Sequence, residues 1–124
     1  MSRAKILFIE DDLDQVKIYD FKFKLEGLDF ISTQHGAEGL RMAEAQKPDL
    51  ILLDMLLFDK KGTDILKKLK ENEHTQRIPV IIFTNFDKEE TAKEALALGA
   101  VDYIIKSKIT PSDIVKKVKE ILHT

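Results

Sequence analysis

Residues 12–27 read Asp12-Leu13-Asp14-Gln15-Val16-Lys17-Ile18-Tyr19-Asp20-Phe21-Lys22-Phe23-Lys24-Leu25-Glu26-Gly27, and the fold turns on how they are taken. Tyr19, Phe21, Phe23 and Leu25 alternate with polar residues, which is the period of a half-buried strand. Asp12 as a cap with Gln15 three residues on, and Gly27 as a stop, instead mark a helix from about residue 13 to 26. The flanking runs settle the choice. Ile6-Leu7-Phe8-Ile9 is apolar on both faces, as a strand covered by helices on each side should be, and Phe30-Ile31-Ser32-Thr33 is a mixed run suited to a sheet edge. Parallel neighbours need a crossover between them, so residues 13–26 are expected to be helical.

The same alternation continues outward. Leu50-Ile51-Leu52-Leu53, Val80-Ile81-Ile82-Phe83 and Val101-Asp102-Tyr103-Ile104-Ile105 read as further strands. Leu40 and Ala43 ahead of Pro48, and Ile65, Leu66 and Leu69 after Gly62, mark two helices. Asp87 with Glu90 resembles a capping box, Ala92, Ala95 and Leu96 supply a face, and Gly99 supplies a stop. Thr110-Pro111-Ser112-Asp113 places a cap, a proline at the first helical position and an acid in the first turn. Ile114, Val118, Ile121 and Leu122 then form one apolar stripe. Five strand–helix units in this order predict a three-layer α/β sandwich on a parallel sheet.

A chain of 124 residues fits one domain, expected over residues 1–124 with no output domain and no linker. The absence of cysteine excludes disulfides, thiolate metal sites and cysteine nucleophiles, and fits a reducing cytoplasm. A net charge of −2 gives no footprint for nucleic acid or an anionic membrane. No apolar run approaches the ~20 residues that span a bilayer. His35, His74 and His123 are too scattered for a metal site and read as surface residues. Neither a Walker A loop nor Gly-x-Gly-x-x-Gly is present.

Ligands of such a sheet sit beyond the carboxyl ends of its strands. Glu10-Asp11-Asp12, Asp54, Thr84 and Lys106 all fall there, from four different strands. Clustered carboxylates repel one another unless a cation neutralises them, and a few hard oxygen ligands suit Mg2+. Lys106 adds a compact positive charge and Thr84 a hydrogen-bond donor, both suited to phosphoryl oxygens. An aspartate between such groups can attack phosphorus and hold an aspartyl phosphate.

Over essentially its whole length the sequence resembles the receiver domains of response regulators in two-component signalling. The matching pieces are residues 6–12, Pro48 to Met55, Val80 to Thr84, and Ala97 to Lys106. The resemblance implies a flavodoxin-like (βα)5 fold with strand order 2-1-3-4-5. It implies Asp54 as phosphoacceptor, and Glu10, Asp11, Asp54 and the backbone carbonyl of Leu56 as the Mg2+ site. It further implies Thr84 and Lys106 as phosphoryl-binding side chains, and Tyr103 as an aromatic switch coupled to Thr84. The phosphoryl group would come from a sensor histidine kinase or a histidine phosphotransfer protein. The face built from the fourth helix, fifth strand and fifth helix would then change its affinity for a downstream protein target. The domain itself would be no enzyme beyond slow self-dephosphorylation, and a monomer or weak dimer, with no exposed apolar stripe committing that face to dimerisation. The role of Asp12 at the site stays open.

Four positions depart from the family pattern. Phe58 stands where proline is common, Asn85 follows Thr84 where a small residue is usual, and Ser107 follows Lys106 where proline, usually after a cis bond, is common. Leu56 and Phe86, two residues beyond Asp54 and Thr84, place apolar side chains at the mouth of the site. Two other readings are a receiver-like binding module that is never phosphorylated, and a small Mg2+-dependent phosphohydrolase. The hydrolase lacks a second aspartate at position 56.

Overall fold

A computed structural model of the chain describes residues 3–123. Met1, Ser2 and Thr124, which the sequence assigns to the same domain, lie outside the described residues. The elements run β1 (Lys5–Ile9), α1 (Leu13–Leu25), β2 (Asp29–Thr33), α2 (Gly36–Gln46), β3 (Leu50–Leu53), α3 (Gly62–Glu71), β4 (Val80–Thr84), α4 (Glu89–Ala97), β5 (Asp102–Ile105) and α5 (Pro111–Leu122). A short 3-10 turn, Lys106–Lys108, lies between β5 and α5. The five strands form one sheet in the order β2-β1-β3-β4-β5, parallel at every pairing. The mixed strand β2 is at an edge, as its composition suggested.

The apolar strands have two faces, and each face has its own core. Ile6, Phe8, Leu50, Leu52, Ile81 and Phe83 pack against α1 and α5, with Tyr19, Phe23, Ile114 and Val118 opposite them. Leu7, Ile9, Ile51, Leu53 and Ile82 pack against Ala43 of α2, Ile65, Leu66 and Leu69 of α3, and Ala95 of α4. Edge-on aromatic contacts lock the first core, with the Tyr19 ring 5.7 Å from Phe8 and 5.1 Å from Phe83.

Residues 13–25 are helical, and the structure shows why their pattern was ambiguous. Tyr19 and Phe23, four apart, turn inward, while Ile18, Phe21 and Leu25 are 48%, 70% and 67% exposed. Two apolar stripes on one helix, superimposed, mimic the alternation of a strand. Asp12 is the cap, its Oδ1 accepting from the Asp14 and Gln15 N–H groups. Gly27 and Gly99 end α1 and α4 with positive φ, where a side chain is strained. Thr110 caps α5 by accepting from Asp113 N–H, with Pro111 at the first helical position.

One helix start differs from its sequence signal, and another had no signal at all. Helix α4 begins with Lys88 at the cap position and no side-chain cap. The capping box expected from Asp87 and Glu90 does not form, because Asp87 instead pairs with Lys108 at 3.0 Å. Helix α2 starts after His35, which supplies no cap either. Its first N–H groups are taken by Asp59, 23 residues on, whose carboxylate accepts from Gly36 at 2.8 Å and Ala37 at 3.0 Å. Those two N–H groups, Ala37 foremost, hold the Asp59 carboxyl below its usual range. Asp59→Ala should therefore cost about 0.5–1 kcal/mol at neutral pH by urea unfolding. Because the folded pKa is depressed, that contribution is present above the unfolded carboxyl value. It is lost as pH falls through the folded one, so the two unfolding curves should converge below roughly pH 4.

Candidate functional site

The carboxyl ends of β1, β3, β4 and β5 converge, and the predicted side chains meet there. Glu10 follows β1, Asp54 follows β3, Thr84 ends β4 and Lys106 follows β5. Glu10, Asp54 and Thr84 are all buried, which is unusual for two carboxylates unless they are paired. The Lys106 ammonium provides that pairing, bonding Glu10 Oε1 and lying 3.0 Å from Asp54 Oδ2. The Thr84 hydroxyl donates to Asp54 Oδ1 at 2.6 Å, and the Leu56 N–H donates to the same oxygen at 3.1 Å.

Asp11 lies beside this group and pairs with no cation among the described residues. Carboxylate oxygens of Glu10, Asp11 and Asp54 all fall within 4.8 Å of one another. Burial, and then repulsion from Asp54, push the Asp11 carboxyl above its usual value. Burial likewise raises Asp54, although the Thr84 hydroxyl and the Leu56 and Met55 N–H groups pull against it. Burial also pulls the Lys106 ammonium down to about 8. One ammonium therefore faces three acids that are costly to keep charged together, and this donor set suits a hard divalent cation. Asp12 turns its side chain to the α1 N–H groups, which makes it a cap with a secondary electrostatic influence on Asp11 and Asp54.

Around the acceptor, Tyr103 donates its hydroxyl to the Phe86 carbonyl, and Phe86 N–H donates to Thr84 Oγ1 at 3.2 Å. Tyr103 and Thr84 are thus joined through a single residue, Phe86. Leu56 is 59% and Phe58 88% exposed at the mouth. The peptide bonds of the described residues, Lys106–Ser107 included, are trans. His35, His74 and His123 are exposed, as expected.

One residue's role and one contact escaped the sequence. Gly62 approaches the β3 end so closely that a Cβ there would meet the Asp54 carbonyl oxygen at 2.5 Å. The signal available was its place after the loop that follows Asp54. Asn85 accepts from Ser107 N–H at 2.9 Å, a contact across 22 residues with no local signature.

A doubly wound parallel domain whose carboxyl edge gathers three acids, a threonine and an ammonium defines a site suited to handling an anion together with a cation. The description "Response regulator receiver domain" matches residues 6–119. The chain is 34% identical over 118 residues to the alkaline phosphatase synthesis transcriptional regulatory protein PhoP of Bacillus subtilis, covering 95% of this chain and 48% of that protein. It is 28% identical over 117 residues to the polar-differentiation response regulator DivK of Brucella anthropi, covering 94% of each. A crystal structure of a CheY-like response regulator receiver domain protein from Methanospirillum hungatei superposes with a TM-score of 0.90. It is 29% identical, with 98% of this chain and 95% of that one covered. The chain belongs to the response regulator receiver domain family, and its function is that of a phosphoacceptor signalling domain. It spans about half the length of the first curated relatives it matches.

Proposed function

We propose that Asp54 is the phosphoacceptor and takes its phosphoryl group from a phosphohistidine on a sensor kinase or phosphotransfer protein. A carboxylate oxygen of Asp54 forms the new O–P bond as the P–N bond breaks, and the imidazole leaves with the electron pair. The observation that carries this reading is the setting of Asp54, between the Thr84 hydroxyl at 2.6 Å and the Lys106 ammonium at 3.0 Å. Both donors sit on the acceptor carboxylate itself, within reach of the oxygens of a phosphoryl group attached there.

Glu10, Asp11, Asp54 and the Leu56 carbonyl would hold Mg2+, which supplies charge neutralisation for the incoming phosphoryl group. Lys106 then holds one phosphoryl oxygen, and the Thr84 hydroxyl turns from the carboxylate to another. That turn moves the residue whose Oγ1 anchors Phe86 N–H, and Phe86 in turn holds Tyr103. The face formed by α4, β5 and α5 thereby changes its affinity for a downstream protein target by population shift. No helix of the described residues is long and apolar enough to cross a membrane, and a cytoplasmic monomer or weak dimer fits the relay.

The test is intact mass after incubation with Mg2+ and phosphoramidate, a small P–N donor. The wild type should gain one phosphoryl group and Asp54→Asn none. No adduct on the wild type would favour a binding module, and steady donor turnover would favour a hydrolase.

Leu56 and Phe86 carry no group that can orient an attacking water, so the aspartyl phosphate should be long-lived. A Leu56→Asn, Phe86→Glu double variant should shorten its lifetime by at least about tenfold, short of the roughly 100-fold or more that a fully positioned general base supplies. Equal decay of the phosphorylated wild type and variant would refute this.

A further inference from the structure

Two of the family departures meet in space. The β4–β5 ladder ends with Thr84 opposite Ile105. Beyond it the ladder stops, and the Asn85 Oδ1 takes the Ser107 N–H at 2.9 Å. A side-chain carbonyl thus stands in for the next rung of the sheet. The path Thr84–Asn85···Ser107–Lys106 joins the backbones of the two phosphoryl-binding residues through one hydrogen bond. Asp87 and Lys108, in the same two loops, pair at 3.0 Å just beyond it.

We infer that Asn85 is a positioning residue for phosphoryl transfer, holding the 3-10 turn that begins at Lys106 so that the ammonium stays on Asp54. A proline after the lysine would have no N–H to offer, so a small residue after the threonine would leave nothing unpaired. Here serine restores the donor and asparagine supplies the acceptor. Lys106 has a long flexible stem, and its side chain is only 9% exposed. The direction of that stem is set where it leaves the backbone, and Asn85 pins the adjacent peptide.

This inference rests on Asp54 being the acceptor, and its test keeps the two apart. The rate of adduct formation from phosphoramidate is measured at saturating Mg2+ for the four proteins of a cycle. These are the wild type, Asn85→Ala, Ser107→Pro and the double variant. Asn85→Ala should slow phosphorylation about fivefold, the worth of one ordinary hydrogen bond. The same change made in the Ser107→Pro background should have no effect on the rate, whatever the proline does by itself. The Mg2+ concentration for half-maximal rate should not rise, because loosening Lys106 takes no ligand from the metal and leaves the acids at least as free to bind it. An equal slowing in both backgrounds, a wild-type rate in Asn85→Ala, or a parallel loss of Mg2+ affinity would each overturn the positioning role. Asn85 and Ser107 are both exposed, so the variants should fold, which thermal melts verify. A wild type that takes no phosphoryl group would instead overturn the acceptor assignment.

Discussion

Lys106→Met should destabilise the metal-free protein by about 3 kcal/mol and slow phosphorylation of Asp54 by roughly 100-fold. The ammonium is the cation that contacts both buried carboxylates, Glu10 and Asp54. Removing one partner of a buried ion pair leaves an uncompensated charge, which costs far more than the intact pair gains. Much of the stability loss should return on adding Mg2+. A ligand at about a hundredfold above its Kd contributes roughly 2.7 kcal/mol, and the carboxylates that lose the ammonium are the ones proposed to bind it. Urea unfolding with and without Mg2+ measures both quantities. An equal loss in the two conditions would mean that Lys106 matters for packing alone.

Asp11→Asn should act in the opposite sense on stability while removing function. In the metal-free protein it should stabilise the fold, since it deletes a charge that burial and Asp54 both disfavour. The sign follows from the raised folded pKa. The group costs stability when ionised, so the cost grows as pH rises through the folded value and disappears below the unfolded one. Wild type and variant should therefore differ at pH 7 and coincide at pH 3. The same change should weaken Mg2+ binding at least tenfold, since even losing an outer-shell partner of a metal ligand costs roughly 10–100-fold, with phosphorylation falling in step. Calorimetric titration with Mg2+ and unfolding across pH test the two halves separately. A variant less stable than the wild type at pH 7 would show that Asp11 has an attractive role in the fold.

The parts of this architecture that were legible in the sequence are those decided locally or by doubled burial. Ile6–Ile9, Leu50–Leu53 and Val80–Phe83 announced themselves because a central parallel strand needs apolar residues on both faces. The strand ends then placed Glu10, Asp54, Thr84 and Lys106 at one edge without knowledge of a single contact. Helix α1 was legible from its cap and stop but not from its pattern, because Ile18, Phe21 and Leu25 form a second stripe facing solvent. What the sequence could not show were contacts between loops. The cap of α2 comes from Asp59, and the local signal at Asp87 and Glu90 lost to Lys108. The departures at Asn85 and Ser107 were visible one by one, and only the fold pairs them.

The strand order also bears on how the chain is made. Strand β1 sits between β2 and β3, with Ile6 opposite both Phe30 and Leu50. A ribosome that has released only the first forty-odd residues has delivered β1, α1, β2 and α2, but not β3, the other sheet neighbour of β1. Until residues 50–53 emerge, one long side of β1 offers unpaired backbone groups and fully apolar flanks. Nascent chains stalled in the α2–β3 region should therefore be the species most prone to sticking together or recruiting chaperones.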